Sequence, residues 1–299
     1  MPLDHHRRSL LAAAGVLLLP ACASRAGDVT AAAARSSLAA LEQREGGRLG
    51  VAILDTASGR RVSHRGGERF AMCSTFKTLA SAAILARVDA SRERLDRRVV
   101  VAREALVPWS PVTEERLGPP GITLAELCHA SITVSDNTAA NLQLDAIGGP
   151  AGLTTWLRTL GDTITRLDRY EPALNEARPG DPRDTTSPDA MLDTLRTLLV
   201  GDALAPASRA QLVDWMVATT TGDRRLRAGL PPGWRVGNKT GTANSANPVT
   251  ADVAIAWPSP GAPPVVAVAY LHAYADPSTP RDAAMAAVGR MAATFVATG

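Results

Sequence analysis

The sequence predicts a two-lobed fold, α/β plus all-α: an antiparallel sheet flanked by the terminal helices, with a helical lobe inserted into it. Two observations carry this expectation. Strand character occurs only near the two ends of the chain, and residues 71–216 between them read as helices joined by Pro/Gly-rich connections. An Ala-rich helical stretch also lies outside the strands at each end.

Taken in order, residues 29–45 are rich in Ala, with Leu38 and Leu41 on one helical face. Residues 49–55 form a strand, 56–59 a turn and 61–64 the return strand of a hairpin. A strongly apolar helix spans 74–89. Helical segments follow at 123–130, 137–147, 151–160, 188–200 and 206–218, with Ser, Thr or Pro near their starts. Residues 161–187 carry no such period and form a long polar loop, a kind that is usually functional inside a compact domain. After Pro231-Pro232 come strands at 234–242, 251–257 and 265–270, then a final Ala-rich helix at 282–296. The expected division is an export leader at 1–23, an α/β domain at 24–70 and 217–299, and an inserted all-helical domain at 71–216. A cleft between two such lobes is the natural place for a site.

Composition excludes more than it assigns. The chain has 299 residues, 45% of them hydrophobic and dispersed, which excludes intrinsic disorder and a multispanning membrane protein. Net charge is +3, no Lys/Arg block exceeds two residues, and only 4% of residues are aromatic. A dedicated nucleic-acid surface is not expected. No His/Cys/Asp cluster has zinc spacing, so no metal site is expected.

The first two dozen residues read as a targeting segment. His5-His6-Arg7-Arg8 is a basic start, followed by an apolar run at 10–19 that is too short to span a membrane. Arg7-Arg8-Ser9-Leu10-Leu11 resembles a twin-arginine export signal, with an ordinary secretory leader as the alternative. Two exits follow: cleavage at Ala21-Cys22-Ala23, or lipid attachment at Cys22, for which Pro20 is an awkward neighbour. Either way the protein is expected outside the cytoplasm, periplasmic or secreted.

Three short motifs carry chemistry. Ser74 and Lys77, in Cys73-Ser74-Thr75-Phe76-Lys77, stand one helical turn apart, so that a lysine whose pKa is lowered could take the proton of a serine nucleophile. Ser135-Asp136-Asn137 precedes a helix, and Lys239-Thr240-Gly241-Thr242 ends a strand. Each has a bland reading alone: a capped helix with a solvated lysine, a capping triplet, a strand cation. In this order and these contexts they form the set of class A β-lactamases and penicillin-binding proteins.

The long loop sharpens the resemblance. Arg166-Leu-Asp-Arg-Tyr-Glu-Pro-Ala-Leu-Asn175 resembles the omega loop of class A serine β-lactamases, with Glu171 and Asn175 in its Glu-x-x-Leu-Asn signature. The likeness runs from about Ala39 to the C-terminus and includes Asn141, Gly148–Gly152 and Thr220-Thr-Gly222. It implies the following roles. Ser74 attacks the lactam carbonyl, and its N–H and that of Thr242 form an oxyanion hole. Lys77 moves the proton of Ser74, and Ser135 relays one to the departing nitrogen. Asn137 binds the substrate side chain, and Glu171 with Asn175 holds the hydrolytic water. Lys239, Thr240, Gly241 and Thr242 face the substrate carboxylate, and Trp109 lines the rim unless it is a packed core residue. The implied partners are small-molecule β-lactams. The protein is expected to be a monomer, with no membrane contact beyond a lipid at Cys22.

Two departures matter. Residues 243–252 contain no Arg for the substrate carboxylate, and Arg225 fits the position from which other members supply it, with a solvated basic run as the alternative. Cys73 and Cys128 each match one half of a different family disulfide, with Ala243 and Ser81 at the partner positions, so two free thiols are expected. A D,D-peptidase on the same fold is opposed by Glu171 and Asn175, and an inactive sensor by the intact Ser74, Lys77, Ser135 and Lys239.

Overall fold

The computed structural model describes residues 21–243, 246–273 and 281–297. Residues 1–20 of the expected leader lie outside it, as does the side chain of Cys22. Helix α1 (Ala21–Glu45) begins earlier than the Ala-rich stretch suggested, running through Gly27.

The strands at the two ends pair into one sheet, as expected. β1 (Gly47–Asp55) and β2 (Arg61–His64) form the hairpin, and β7 (Arg235–Ala243), β8 (Val249–Trp257) and β9 (Val265–Ala273) complete the antiparallel order β2-β1-β9-β8-β7. The two halves join where β1 runs along β9, Gly47 opposite Ala273 through Asp55 opposite Val265. β7 therefore lies at the edge.

Alternation along β1 decides which face meets what. Leu49, Val51 and Ile53 face a core built with Leu38 and Leu41 of α1 and Met285, Val288 and Phe295 of α9 (Asp282–Ala297). Ala52 and Leu54 face a larger core shared with the helical lobe, to which β8 contributes Val253 and Ile255 and β9 Val268 and Tyr270. At its centre is α2 (Phe76–Asp89), buried from Phe76 through Leu85, which explains its strongly apolar character. Each of these Leu-sized side chains contributes roughly 1.5–3 kcal/mol by burial.

Around α2 stand α3 (Leu124–Thr133), α4 (Asn137–Ala146), α5 (Gly149–Thr159), α6 (Pro188–Leu199) and α7 (Pro206–Val217). Their starts follow the sequence signals. Thr123 and Glu126 form a capping box on α3, Asp136 caps α4, and Ser187 caps α6 ahead of Pro188. Four short strands were not expected: β3 (Phe70–Ala71) with β6 (Thr185–Thr186), and β4 (Arg98–Val101) with β5 (Gly118–Thr123). The two Gly and two Pro of β5 hide it from any propensity argument. A short helix, α8 (Leu226–Gly229), was likewise not foreseen.

Cys73 and Cys128 are both free and buried. Burial raises both thiols, that of Cys128 to about 12. A chain beginning after Cys22 should therefore take up about two equivalents of a thiol reagent when denatured without reductant, and close to none when native. An unreactive denatured chain would mean a bridge.

Candidate active site

The nucleophile candidate is held differently from the simple helix start. Ser74 sits in a 3₁₀ turn, Cys73–Thr75, that runs directly into α2. Cys73 has φ 45°, in the left-handed region that non-glycine residues rarely occupy. Such a residue persists only where its surroundings over-determine it. Gly241 of β7 is part of those surroundings, since a Cβ there would lie 2.7 Å from the Met72 carbonyl oxygen. The edge strand is thus pressed against the turn, and a side chain at 241 would push the two apart.

Lys77 lies one turn along α2, and its side chain is fully buried. Its Nζ donates to the Ser135 carbonyl oxygen at 2.9 Å and to Asn137 Oδ1 at 2.6 Å, and lies 3.2 Å from Glu171 Oε1. Glu171 Oε1 also accepts from Ser74 Oγ at 3.2 Å. Asn175 Nδ2 donates to the other oxygen, Glu171 Oε2, at 2.5 Å. Burial lowers the pKa of Lys77, opposed by the Glu171 charge. Burial thus eases the loss of its proton, and the carboxylate beside it limits how far.

Ser135, at φ 61°, presents its hydroxyl between two lysines. Its Oγ accepts from Lys77 Nζ at 3.2 Å and from Lys239 Nζ at 3.0 Å. Both lone pairs are then engaged, and its own proton remains to be given away. Lys239 is buried, and its pKa falls well below the ordinary value, by desolvation first and by repulsion from Lys77 second.

A cleft of about 380 Å³ opens in front of these groups, lined by Ser74, Trp109, Ser135, Asn137, Asn175, Thr221, Arg225, Thr240 and Thr242. Lys77, Glu171 and Lys239 stand behind that wall. Trp109 is 67% exposed at the rim and donates to the Val134 carbonyl oxygen at 3.0 Å, so it is not a packed core residue.

Arg225 is only 6% exposed, which removes the solvated basic run as a reading. Its Nε meets Asp282 Oδ1 at 2.8 Å, Nη1 donates to the Gly241 and Ala251 carbonyls at 2.9 and 2.8 Å, and Nη2 donates to Thr242 Oγ1 at 2.8 Å. Four of the five donors of a guanidinium are taken by these contacts. A ligand carboxylate would meet the charge and the one remaining N–H rather than a two-pronged fork. Thr242, accepting from Arg225, is left with its own proton free for the cleft.

Several residues that organise the site had no role in it assigned from the sequence. Asp136 accepts from the backbone N–H groups of Val112, Thr113 and Ala139. Asn141 clamps the backbone of Glu171 from both sides, donating to its carbonyl and accepting from its N–H, each at 2.9 Å. Thr221 Oγ1 lies 2.8 Å from Thr240 Oγ1. Asn141 and Thr221 fall inside stretches already noted, but only their contacts set them apart. Asp252 had no signal: a single carboxylate in an apolar strand.

The geometry has counterparts. A model described as the beta-lactamase enzyme family matches residues 33–296, and the chain is 50% identical over 294 residues to beta-lactamase FAR-1 of Nocardia farcinica, covering 94% of this chain and 92% of that one. The chain belongs to the class A serine β-lactamases. This class A enzyme is also 48% identical over 254 residues to the carbapenem-hydrolyzing beta-lactamase KPC of Klebsiella oxytoca, across 85% of this chain and 86% of that one. Among solved structures, the ancestral GNCA class A β-lactamase matches with TM-score 0.82 and 62% identity, over 86% of this chain and 98% of that one. The β-lactamase of Desulfarculus baarsii matches with TM-score 0.85 and 49% identity, over 89% and 98%. The two-lobed fold and the hydrolase class are those read from the motifs.

Asp252 gives this β-lactamase a pH-linked stability. Its carboxyl is pushed up to about 6 by burial, against hydrogen bonds from Asn238 Nδ2 and the Leu226 N–H. Because the folded value lies above the ordinary 3.8, protonation favours the folded state. The stabilisation is complete below about pH 4 and lost as pH rises through about 6, and its size is about 3 kcal/mol. The unfolding free energy of wild type minus that of Asp252→Asn, from urea titrations, should be flat above pH 7 and rise by about that amount on going to pH 4. A difference independent of pH would remove the assignment.

Proposed function

We propose that this class A enzyme hydrolyses β-lactams in two steps through an acyl-enzyme on Ser74, and that Glu171 is the base of the second step. The observation that carries this reading is the position of one carboxylate oxygen, Glu171 Oε1, 3.2 Å from both the Ser74 hydroxyl and the Lys77 ammonium. In the first step Ser74 Oγ bonds to the lactam carbonyl carbon, its proton passing to Lys77 or Glu171. The C–N bond then breaks, and Ser135, fed by Lys77 and Lys239, gives its proton to the nitrogen. The N–H groups of Ser74 and Thr242 receive the oxyanion, a term worth roughly 3–4 kcal/mol per donor in such sites. In the second step Glu171, oriented by Asn175 and Asn141, takes a proton from water as its oxygen attacks the ester; the bond from the acyl carbon to Ser74 Oγ then breaks, and Ser74 Oγ regains a proton from the group that took the water's.

Substrate is gripped at two ends. The carboxylate lies against Arg225, Lys239, Thr240 and Thr242, with Gly241 between them letting β7 close on the nucleophile turn. The side-chain amide meets Asn137, and Trp109 covers the rim. Antibiotic resistance is the biological consequence of such an activity. The division into a leader at 1–23, an α/β domain at 24–70 and 217–299, and a helical domain at 71–216 belongs to the same reading, as do export from the cytoplasm and action as a monomer.

Two substitutions test it. Glu171→Gln keeps the shape and removes the base, which is worth roughly two to four powers of ten. That variant should accumulate a covalent adduct on Ser74, heavier than the protein by one drug molecule in a mass spectrum. Hydrolysis at the wild-type rate would overturn the two-step reading. Arg225→Ala should lower kcat/KM about tenfold to a hundredfold through the lost carboxylate contact, whereas exposed Arg224→Ala should change it little. Equal behaviour of the two variants would leave the carboxylate to Lys239 and the threonines.

A further inference from the structure

Behind the nucleophile turn lies a tyrosine that none of these steps uses. Tyr270 stands in β9, opposite Gly50 of β1 and Ala251 of β8, and is fully buried. Its ring stacks on Phe70 with centroids 6.1 Å apart, and Phe70 in turn fills the space where a side chain at Gly50 would be. Its hydroxyl lies 3.1 Å from Thr75 Oγ1. Thr75 has one proton, and its Oγ1 donates at 2.8 Å to the carbonyl oxygen of Met72. The phenol is therefore the donor in its bond with Thr75. Burial raises its pKa, so it keeps that proton throughout the working range.

The bond reaches the reacting atoms in two links. Met72 O accepts from the backbone N–H of Thr75 as well as from its hydroxyl, closing the turn that contains Cys73 and Ser74. Met72 N–H donates at 3.0 Å to the Asp184 carbonyl at the end of the loop that carries Glu171. Gly241 presses on the same Met72 carbonyl from β7. The turn is thus fixed from the loop, from the edge strand and from the sheet interior, and the third support is the Tyr270 hydroxyl. The left-handed Cys73 needs such supports, because its backbone would otherwise relax and rotate Ser74.

We infer that Tyr270 is a positioning residue: by donating to Thr75 it sets the angle of the Cys73–Thr75 turn and so aims both the oxygen and the N–H of Ser74. This rests on the reading of Ser74 as nucleophile. Misalignment of a nucleophile by a fraction of an ångström is enough to slow a reaction without abolishing binding.

The test uses the Glu171→Gln protein, in which acylation is seen alone. Adding Tyr270→Phe should slow acylation by a chromogenic cephalosporin about fivefold to tenfold, as expected for one lost hydrogen bond. It should also move the infrared carbonyl band of the accumulated ester to higher wavenumber, because the Ser74 N–H no longer points squarely at that oxygen. Thr75→Val should reproduce both effects, and adding Tyr270→Phe to it should change neither further. Thr75→Ser, which keeps the hydroxyl, should restore both. Variants with lowered Tm but wild-type acylation and an unmoved band would make Tyr270 a packing residue and overturn the inference. No adduct at all in the Glu171→Gln parent would instead overturn the reading of Ser74, and this inference with it.

Discussion

Lys77 is the cation on which the arrangement depends. An ammonium group taken wholly out of water is tolerable only where acceptors surround it, and here they come from two separate parts of the chain. Asn137 and Ser135 lie at the junction of α3 and α4, and Glu171 lies in the long loop. Deleting one partner of a buried pair typically costs about 3–5 kcal/mol, because the other is left uncompensated. One side chain therefore ties helix, junction and loop together, and the groups assigned to the proposed reaction are the groups that must meet for Lys77 to be buried.

The same logic extends along the cleft. Three buried cations, Lys77, Lys239 and Arg225, face Glu171, Asp252 and Asp282. The carboxylates of Glu171 and Asp282 touch their partners, while Asp252 acts across a distance and spends its hydrogen bonds on Asn238 and Leu226. The result is a row of buried charges of both signs along the cleft. Solvent screens little at that depth, so a ligand carboxylate meets an interaction far stronger than at a surface.

Most of this architecture was legible because each element carried a local reason. The hairpin was two strand-like runs split by a turn, α2 was strongly apolar, and Thr123, Asp136 and Ser187 marked helix starts by capping chemistry. Ser74, Lys77, Ser135, Lys239 and Glu171 were legible because short motifs kept their order. Contacts made across the fold left no such trace. Asn141 is one amide among several in α4 until Glu171 is seen between its two ends, and Tyr270 looks like any aromatic in a buried strand. The state of Arg225 was hidden for the same reason: Asp282, which holds its Nε, is 57 residues away along the chain. Pairing partners such as β4 and β5 are likewise a property of the folded chain, since Gly118–Thr123 has almost no intrinsic preference for a strand.

The Lys-Thr-Gly segment lies on the outermost strand of the sheet, and an outermost strand offers backbone donors and acceptors to whatever can align with it. Polypeptide could dock there as readily as a drug. Here Thr219 already bonds the Asn238 carbonyl, Met216 and Val217 crowd Gly237, and Ser135 and Asn137 stand opposite the remainder. What is left open is a short recess rather than a margin. It gives an extended chain no length along which to zip, so the strand that carries Lys239 is kept from seeding self-association.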